Sequence, residues 1–145
     1  MKSTEGGPVE AGKAGAHEKL VREYLSGLEA GDAERILSLF TGDGIVCSPL
    51  YGERPAARFF PGLFEDTRNS RITLKGVFEG TSRSPRVAAW FIYDWTLRDG
   101  SPVRFECMDV FELDERSGRI RRLTILYDSA RTRGALDESR RSSGA

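Results

Sequence analysis

The stretch RFECMDVFEL, residues 104–113, alternates as a β-strand does, so Phe105, Cys107, Asp109 and Phe111 share one face. A carboxylate on an apolar face must find partners or change its pKa, because burying an unpaired charge costs several kcal/mol. Desolvation by apolar walls favours a neutral Asp109 that donates a hydrogen bond. Tyr24, on the apolar side of the helix read in HEKLVREYLSGLEAGD, is a second donor for the same interior.

Pairing of strands decides which other groups join them. If Asp99-Gly100 makes a two-residue turn, counting back places Trp90 opposite Asp109, Ile92 opposite Cys107 and Asp94 opposite Phe105. Asp94 then faces the interior and is the candidate base, with Glu53 a weaker one on a loop. A three-residue loop at 116–118, with Gly118 left-handed, places Ile125 opposite Asp109 and Tyr127 opposite Cys107. The expected walls of a pocket for a flat, apolar, oxygen-bearing ligand are Tyr51, Phe59, Phe60, Trp90, Phe105, Cys107, Ile125 and Tyr127. Cys107 has no histidine to activate it. The only histidine, His17, is read as a solvated residue at a helix start.

The elements that must position these groups are legible as periodicity. Leu20, Val21, Tyr24, Leu25 and Leu28 form a helical stripe that Gly31 stops. Asp32 caps a second helix, AERILSLF, and a short strand, IVCSP, follows. In ERPAARFFPGLFEDT, Pro55 suits a first turn and Pro61 predicts a kinked helix or two short ones. From Arg71 the pattern changes to strands joined as a meander, which predicts an α+β domain over 16–130 with helices on one face of a curved antiparallel sheet. Residues 1–15 and 131–145 are polar without periodicity and read as mobile tails. Phe91, Tyr93 and Trp95 fall on the outer face in this register, which predicts a homodimer.

The 145 residues carry 22 basic and 22 acidic side chains, so no charge excess points to nucleic acid. No apolar run approaches the roughly 20 residues of a membrane span, and no hydrophobic signal segment opens the sequence, so a cytoplasmic protein is expected. The two cysteines lack metal-type spacing, and no phosphate-binding glycine loop or serine-histidine-aspartate set is present. Neither metal nor cofactor is expected, and the expected partner is a hydrophobic small molecule.

VREYLSGLEAGDAERILSLFTGDGIV and MDVFELDERSGRIRRLTILYD resemble the opening helices and final hairpin of the nuclear transport factor 2-like superfamily, in its SnoaL-like and ketosteroid isomerase-like branches. The resemblance implies a cone-shaped, cystatin-like fold with a pocket at its wide end, and often a homodimer. Ketosteroid isomerases of this group use an oxyanion hole made by a tyrosine and a protonated aspartic acid. Tyr24 and Asp109 match those two positions, which implies catalytic roles for both. At the position of the isomerase base, an aspartate just before a proline, this sequence has Ser48. The resemblance thus implies a SnoaL-like enzyme of isomerase, polyketide cyclase-like or dehydratase (lyase) type; the alternative is a non-catalytic ligand-binding or dimerisation module of the same fold.

Overall fold

In the computed structural model, the described residues are 3–81 and 83–144, with side chains from 15 to 143. Helix α1 runs Ser3–Ala30, and Gly31 ends it at φ +66°. The tail read at 1–15 falls mainly outside the described side chains; the helical backbone begins at Ser3. Asp32 caps α2 (Ala33–Leu37) by accepting the Arg35 N–H at 3.1 Å. This helix stops early because Phe40 already opens strand β1 (Phe40–Ser48), which turns through Gly52 at φ +76° into β2 (Gly52–Pro55).

Helix α3 (Ala56–Glu65) is one helix with Pro61 inside it, rather than two pieces. The ring removes one amide, and the buried stripe Ala56, Phe59, Phe60 and Leu63 still packs as a single face. Strands β3 (Thr67–Glu79), β4 (Arg86–Leu97), β5 (Pro102–Leu113) and β6 (Ile120–Leu126) complete a curved six-stranded sheet in the order β2-β1-β6-β5-β4-β3. All neighbours are antiparallel except β1 and β6. The helices-then-sheet α+β architecture read from the sequence is the one observed.

Two features differ from that reading. The Asp99-Gly100 turn has three loop residues: Leu97 N–H donates to the Ser101 carbonyl and Gly100 N–H to the Leu97 carbonyl, both at 2.9 Å, with Gly100 at φ +93°. Gly100 therefore takes the left-handed bulge position after a tight turn, and Asp99 Oδ1 holds the Ser101 N–H at 2.9 Å. That one residue reverses the faces of β4 relative to β5. Ala89 lies opposite Asp109, Phe91 opposite Cys107 and Tyr93 opposite Phe105. Phe91, Tyr93 and Trp95 are buried inside and do not form the aromatic outer face from which a homodimer is expected.

The second difference is the C-terminus. Residues read as a tail form α4 (Ala130–Gly144), whose Thr132, Leu136 and Ser139 are buried at helical spacing. A stripe with one large apolar residue leaves almost no periodic hydrophobic signal, which is why it read as unstructured.

The core lies between the helices and the concave sheet face. Tyr24 meets the rings of Phe111 and Phe60 edge-on at 5.1 and 6.0 Å. Helix α1 is tied to β3 by His17, whose Nδ1 lies 2.7 Å from Glu79, and by Glu29, which accepts the Ile72 N–H at 2.7 Å. Gly27 is the close-approach point of α1 and α2, where a Cβ would stand 2.8 Å from Cγ1 of fully buried Ile36. Gly27→Ala should therefore lower stability in urea unfolding by about 1–2 kcal/mol, overpacking outweighing the helix-propensity gain. A more stable variant would show that the two helices yield freely.

No described helix is long and apolar enough to cross a membrane. Among the described residues no His, Cys, Asp and Glu side chains are grouped to hold a metal ion.

Candidate functional site

Alternation along β4 and β5 and the inner faces of α1 and α3 enclose a cavity of about 420 Å³, its open mouth included. All four tyrosines of the chain line it, Tyr24, Tyr51, Tyr93 and Tyr127, together with Ser48, Phe59, Phe105, Cys107, Asp109 and Ile125. Phe91, Trp95, Leu28 and Leu63 complete the wall. Burial gives the cavity its depth: Tyr24 and Asp109 are each 1% exposed at the base, whereas Ser48, Phe105, Ile125 and Tyr127 are only partly buried toward the mouth. The interior is a slot, since only about 40 Å³ is open to the centre of a water molecule. That is room for roughly three waters.

Asp109 is the one carboxylate among the lining residues. Burial pushes its carboxyl up to about 7, opposed only in part by the hydrogen bond that Cys107 Sγ donates to Oδ1 at 3.1 Å. At neutral pH it is thus divided between acid and anion. Burial also drives the Cys107 thiol well above its ordinary value, and the neighbouring Asp109 adds to this, so the thiol is protonated and unreactive while the slot is closed. Tyr24 is raised by burial and by Asp109, and Tyr93 and Tyr127 chiefly by burial, so all three remain phenols able to donate. The Tyr93 hydroxyl lies 3.1 Å from Ser70 Oγ. No described buried polar side-chain atom is left unsatisfied.

Several expected site residues lie elsewhere. The register that turns Phe91 and Tyr93 inward turns Trp90 and Asp94 outward. Asp94 pairs across the strands with Arg104, Oδ1 to Nε 3.4 Å, and cannot serve this cavity as a base. Trp90 donates to Glu106 at 2.6 Å, with Lys75 Nζ 4.7 Å from its ring centroid. Phe60 is fully buried behind the wall, its ring packed against Tyr24, Phe40 and Phe59. Glu53 is on the surface, 3.3 Å from Arg122. A two-residue count of the Asp99-Gly100 turn places Phe91, Tyr93 and Trp95 outside, and because Trp90 and Ile92 on the other face are also large and apolar, the strand's own pattern does not say which face is inner.

Ser48 is at the rim, where its Oγ accepts the N–H groups of Leu50 and Tyr51 at 3.2 and 3.3 Å. It shapes the β1–β2 turn. Tyr51, in that turn, stands edge-on to Phe59 at 5.5 Å and donates its hydroxyl to Asp66 Oδ2 at 2.6 Å.

This frame is shared with solved structures. One is the epoxide hydrolase/cyclase-like enzyme SalBIII of pyran ring formation in the polyether salinomycin: TM-score 0.66 and 19% identity over 77% of this chain and 89% of that one. A protein of cystatin-like fold from Methylobium petroleophilum PM1 gives 0.67 and 21% over 79% and 77%. A candidate polyketide cyclase from Pseudomonas putida KT2440 gives 0.61 and 24% over 75% and 89%. No curated protein matches the chain in sequence. The SnoaL-like domain profile matches residues 21–123, a span that runs from the first helix behind Tyr24 through the strand carrying Asp109. With that match the chain belongs to the SnoaL-like domain family.

Proposed function

We propose that the cavity binds a flat, largely apolar carbonyl compound with its oxygen beside Tyr24 and Asp109, and that Asp109 moves a proton on the bound molecule. The supporting observation is a single carboxyl, 1% exposed at the base of an aromatic slot, which burial pushes up to about 7. A base matched to the working pH combines a useful population of the anion with a useful tendency to take the proton. With Asp94 outside and Ser48 engaged in a turn, Asp109 is the group left to do this work.

In its anionic form Asp109 accepts a proton from a carbon next to the carbonyl. That C–H electron pair moves into the carbonyl, and the oxygen gains charge beside the Tyr24 phenol. Returning the proton to another carbon completes an isomerisation, and attack by the enolate carbon on an electrophile within the same molecule completes a cyclisation. No external oxidant or reductant is needed. Apolar walls exclude water and strengthen each hydrogen bond to the charged oxygen.

A ligand-binding module without turnover is the second reading. It is favoured by Ser48, whose hydroxyl serves the β1–β2 turn where the isomerases place their base.

A carbon-detected NMR titration of Asp109, with and without 2-naphthol as a mimic of an enolate, tests the proposal. The expected midpoint is near pH 7 in the free protein and moves when naphthol binds. An ordinary carboxylate midpoint that naphthol leaves in place would overturn it.

A further inference from the structure

The cavity's interior admits only a few waters, far less than a small-molecule ligand needs, so a wall must move before such a ligand enters. Of the lining side chains, Tyr51 is the one held from outside by a chain of charged hydrogen bonds. Its hydroxyl donates to Asp66 Oδ2, and Asp66 in turn accepts from Arg140 of α4, Nη2 to Oδ2 at 2.9 Å and Nε to Oδ1 at 3.3 Å. The guanidinium carbons of Arg140 and Arg54 lie 5.6 and 5.3 Å from the Tyr51 ring centroid.

The same helix pins the turn that carries Tyr51, because Arg133 Nη2 donates to the Pro49 carbonyl at 2.6 Å. Asp66 is anchored independently as the C-terminal cap of α3, its N–H bonded to the Leu63 carbonyl. Burial pushes its carboxyl up, but hydrogen bonds from Arg140 and Tyr51 and the charge of Arg140 hold it below the usual carboxylate range. The link is therefore ionised and intact at neutral pH.

We propose that Asp66 and Arg140 are positioning residues for Tyr51, clasping it through α4 so that this aromatic lip sets which ligands enter the cavity and how fast. The role rests on the reading of the cavity as a ligand site. Its mechanism is mechanical and local: release of Arg140 loosens the Asp66 carboxylate, whose backbone stays capped on α3, and with it the Tyr51 hydroxyl, while Tyr24 and Asp109 at the base are untouched.

Cys107 supplies a readout that requires no ligand. The chain has two cysteines, and in a Cys47→Ser background Cys107, at the cavity base, is the only thiol. Its alkylation by N-ethylmaleimide at pH 8 then measures how often the slot opens. Asp66→Asn, Tyr51→Phe and Arg140→Ala should each speed labelling about tenfold or more. Arg140→Lys should give a smaller effect, and Tyr51→Phe combined with Arg140→Ala no more than the larger single effect, because both act on one link. Arg121→Ala, which removes a surface ion pair with Glu112, should leave the rate unchanged.

Urea unfolding of each variant separates local from global opening. Rates within twofold of the parent, or accelerations that match a loss of global stability, overturn the proposal. If Arg140→Ala fails to fold, the Arg140→Lys and Tyr51→Phe rates decide by the same criterion. Labelling and naphthol binding fail separately: an absent naphthol response rejects the carbonyl-ligand reading, whereas unchanged labelling rejects the clasp.

Discussion

Asp109→Asn should lower turnover of a flat, enolisable β,γ-unsaturated ketone by about 10²–10⁴-fold, the usual worth of a positioned acid–base group. Asparagine keeps the shape and still donates a hydrogen bond, so the fold and much of the oxyanion contact survive. What it lacks is the proton acceptor. The loss should fall mainly on kcat, since the proposed ground-state contacts are to the cavity walls Tyr51, Phe59, Tyr93 and Trp95, none of which changes. Tyr24→Phe should cost less, because the Tyr93 and Tyr127 phenols remain in the wall. Steady-state kinetics of both variants across pH 5–9 check this: the wild-type profile should rise through about pH 7 as Asp109 ionises, and the Asn variant should lose that limb. Equal activity of wild type and Asp109→Asn would leave the ligand-binding module as the better reading.

The same substitution should remove the pH dependence of stability that Asp109 imposes. Its folded-state carboxyl is raised from 3.8 to about 7, so between these values the native state binds more protons than the unfolded chain. The stabilisation is therefore fully present below about pH 4, declines as pH rises, and is gone above pH 7. A shift of this size corresponds to about 4 kcal/mol, since each unit is worth about 1.36 kcal/mol. Asp66, Asp99 and Asp114, whose carboxyls are lowered, contribute the opposite slope in acid. The difference between wild type and Asp109→Asn removes their effect. Urea unfolding at pH 4, 6 and 8 should show the Asn variant gaining steadily on wild type with rising pH. A constant difference would mean that water or a flexible wall solvates the Asp109 anion.

Sequence alone determined more of the base of the site than of its walls. Phe105, Cys107, Asp109 and Phe111 alternate within one strand, and Tyr24 lies on an unbroken helical stripe, so each could be assigned to an inner face from local periodicity. The α+β order of elements followed from the same periodicities, and the matching sequence profile agrees with the resemblance carried by the opening helices and final hairpin. The β5–β6 pairing at the site is the one read, with Ile125 opposite Asp109, but the turn differs: the Asp114 N–H donates to the Arg119 carbonyl across a four-residue loop with Gly118 at φ +73°, and a one-residue register shift beside Leu113 restores the pairing.

Tertiary structure decided the rest. Asp99-Gly100 fits either a two-residue or a three-residue turn locally, and only the Leu97–Ser101 pairing selects between them. Because side chains alternate with a period of two, that choice exchanged Asp94 and Trp90 for Phe91, Tyr93 and Trp95 across the whole strand. Phe60 was assigned correctly to the interior, but whether it lines a cavity or backs one depends on neighbouring rings from α1, α3 and β1. The link from Arg140 through Asp66 to Tyr51 joins residues 74 and 15 positions apart, and polar side chains carry no periodic signal for such a contact. Local spacing thus fixed which residues face inward along α1 and β5, while long-range pairing and charged contacts fixed what surrounds them.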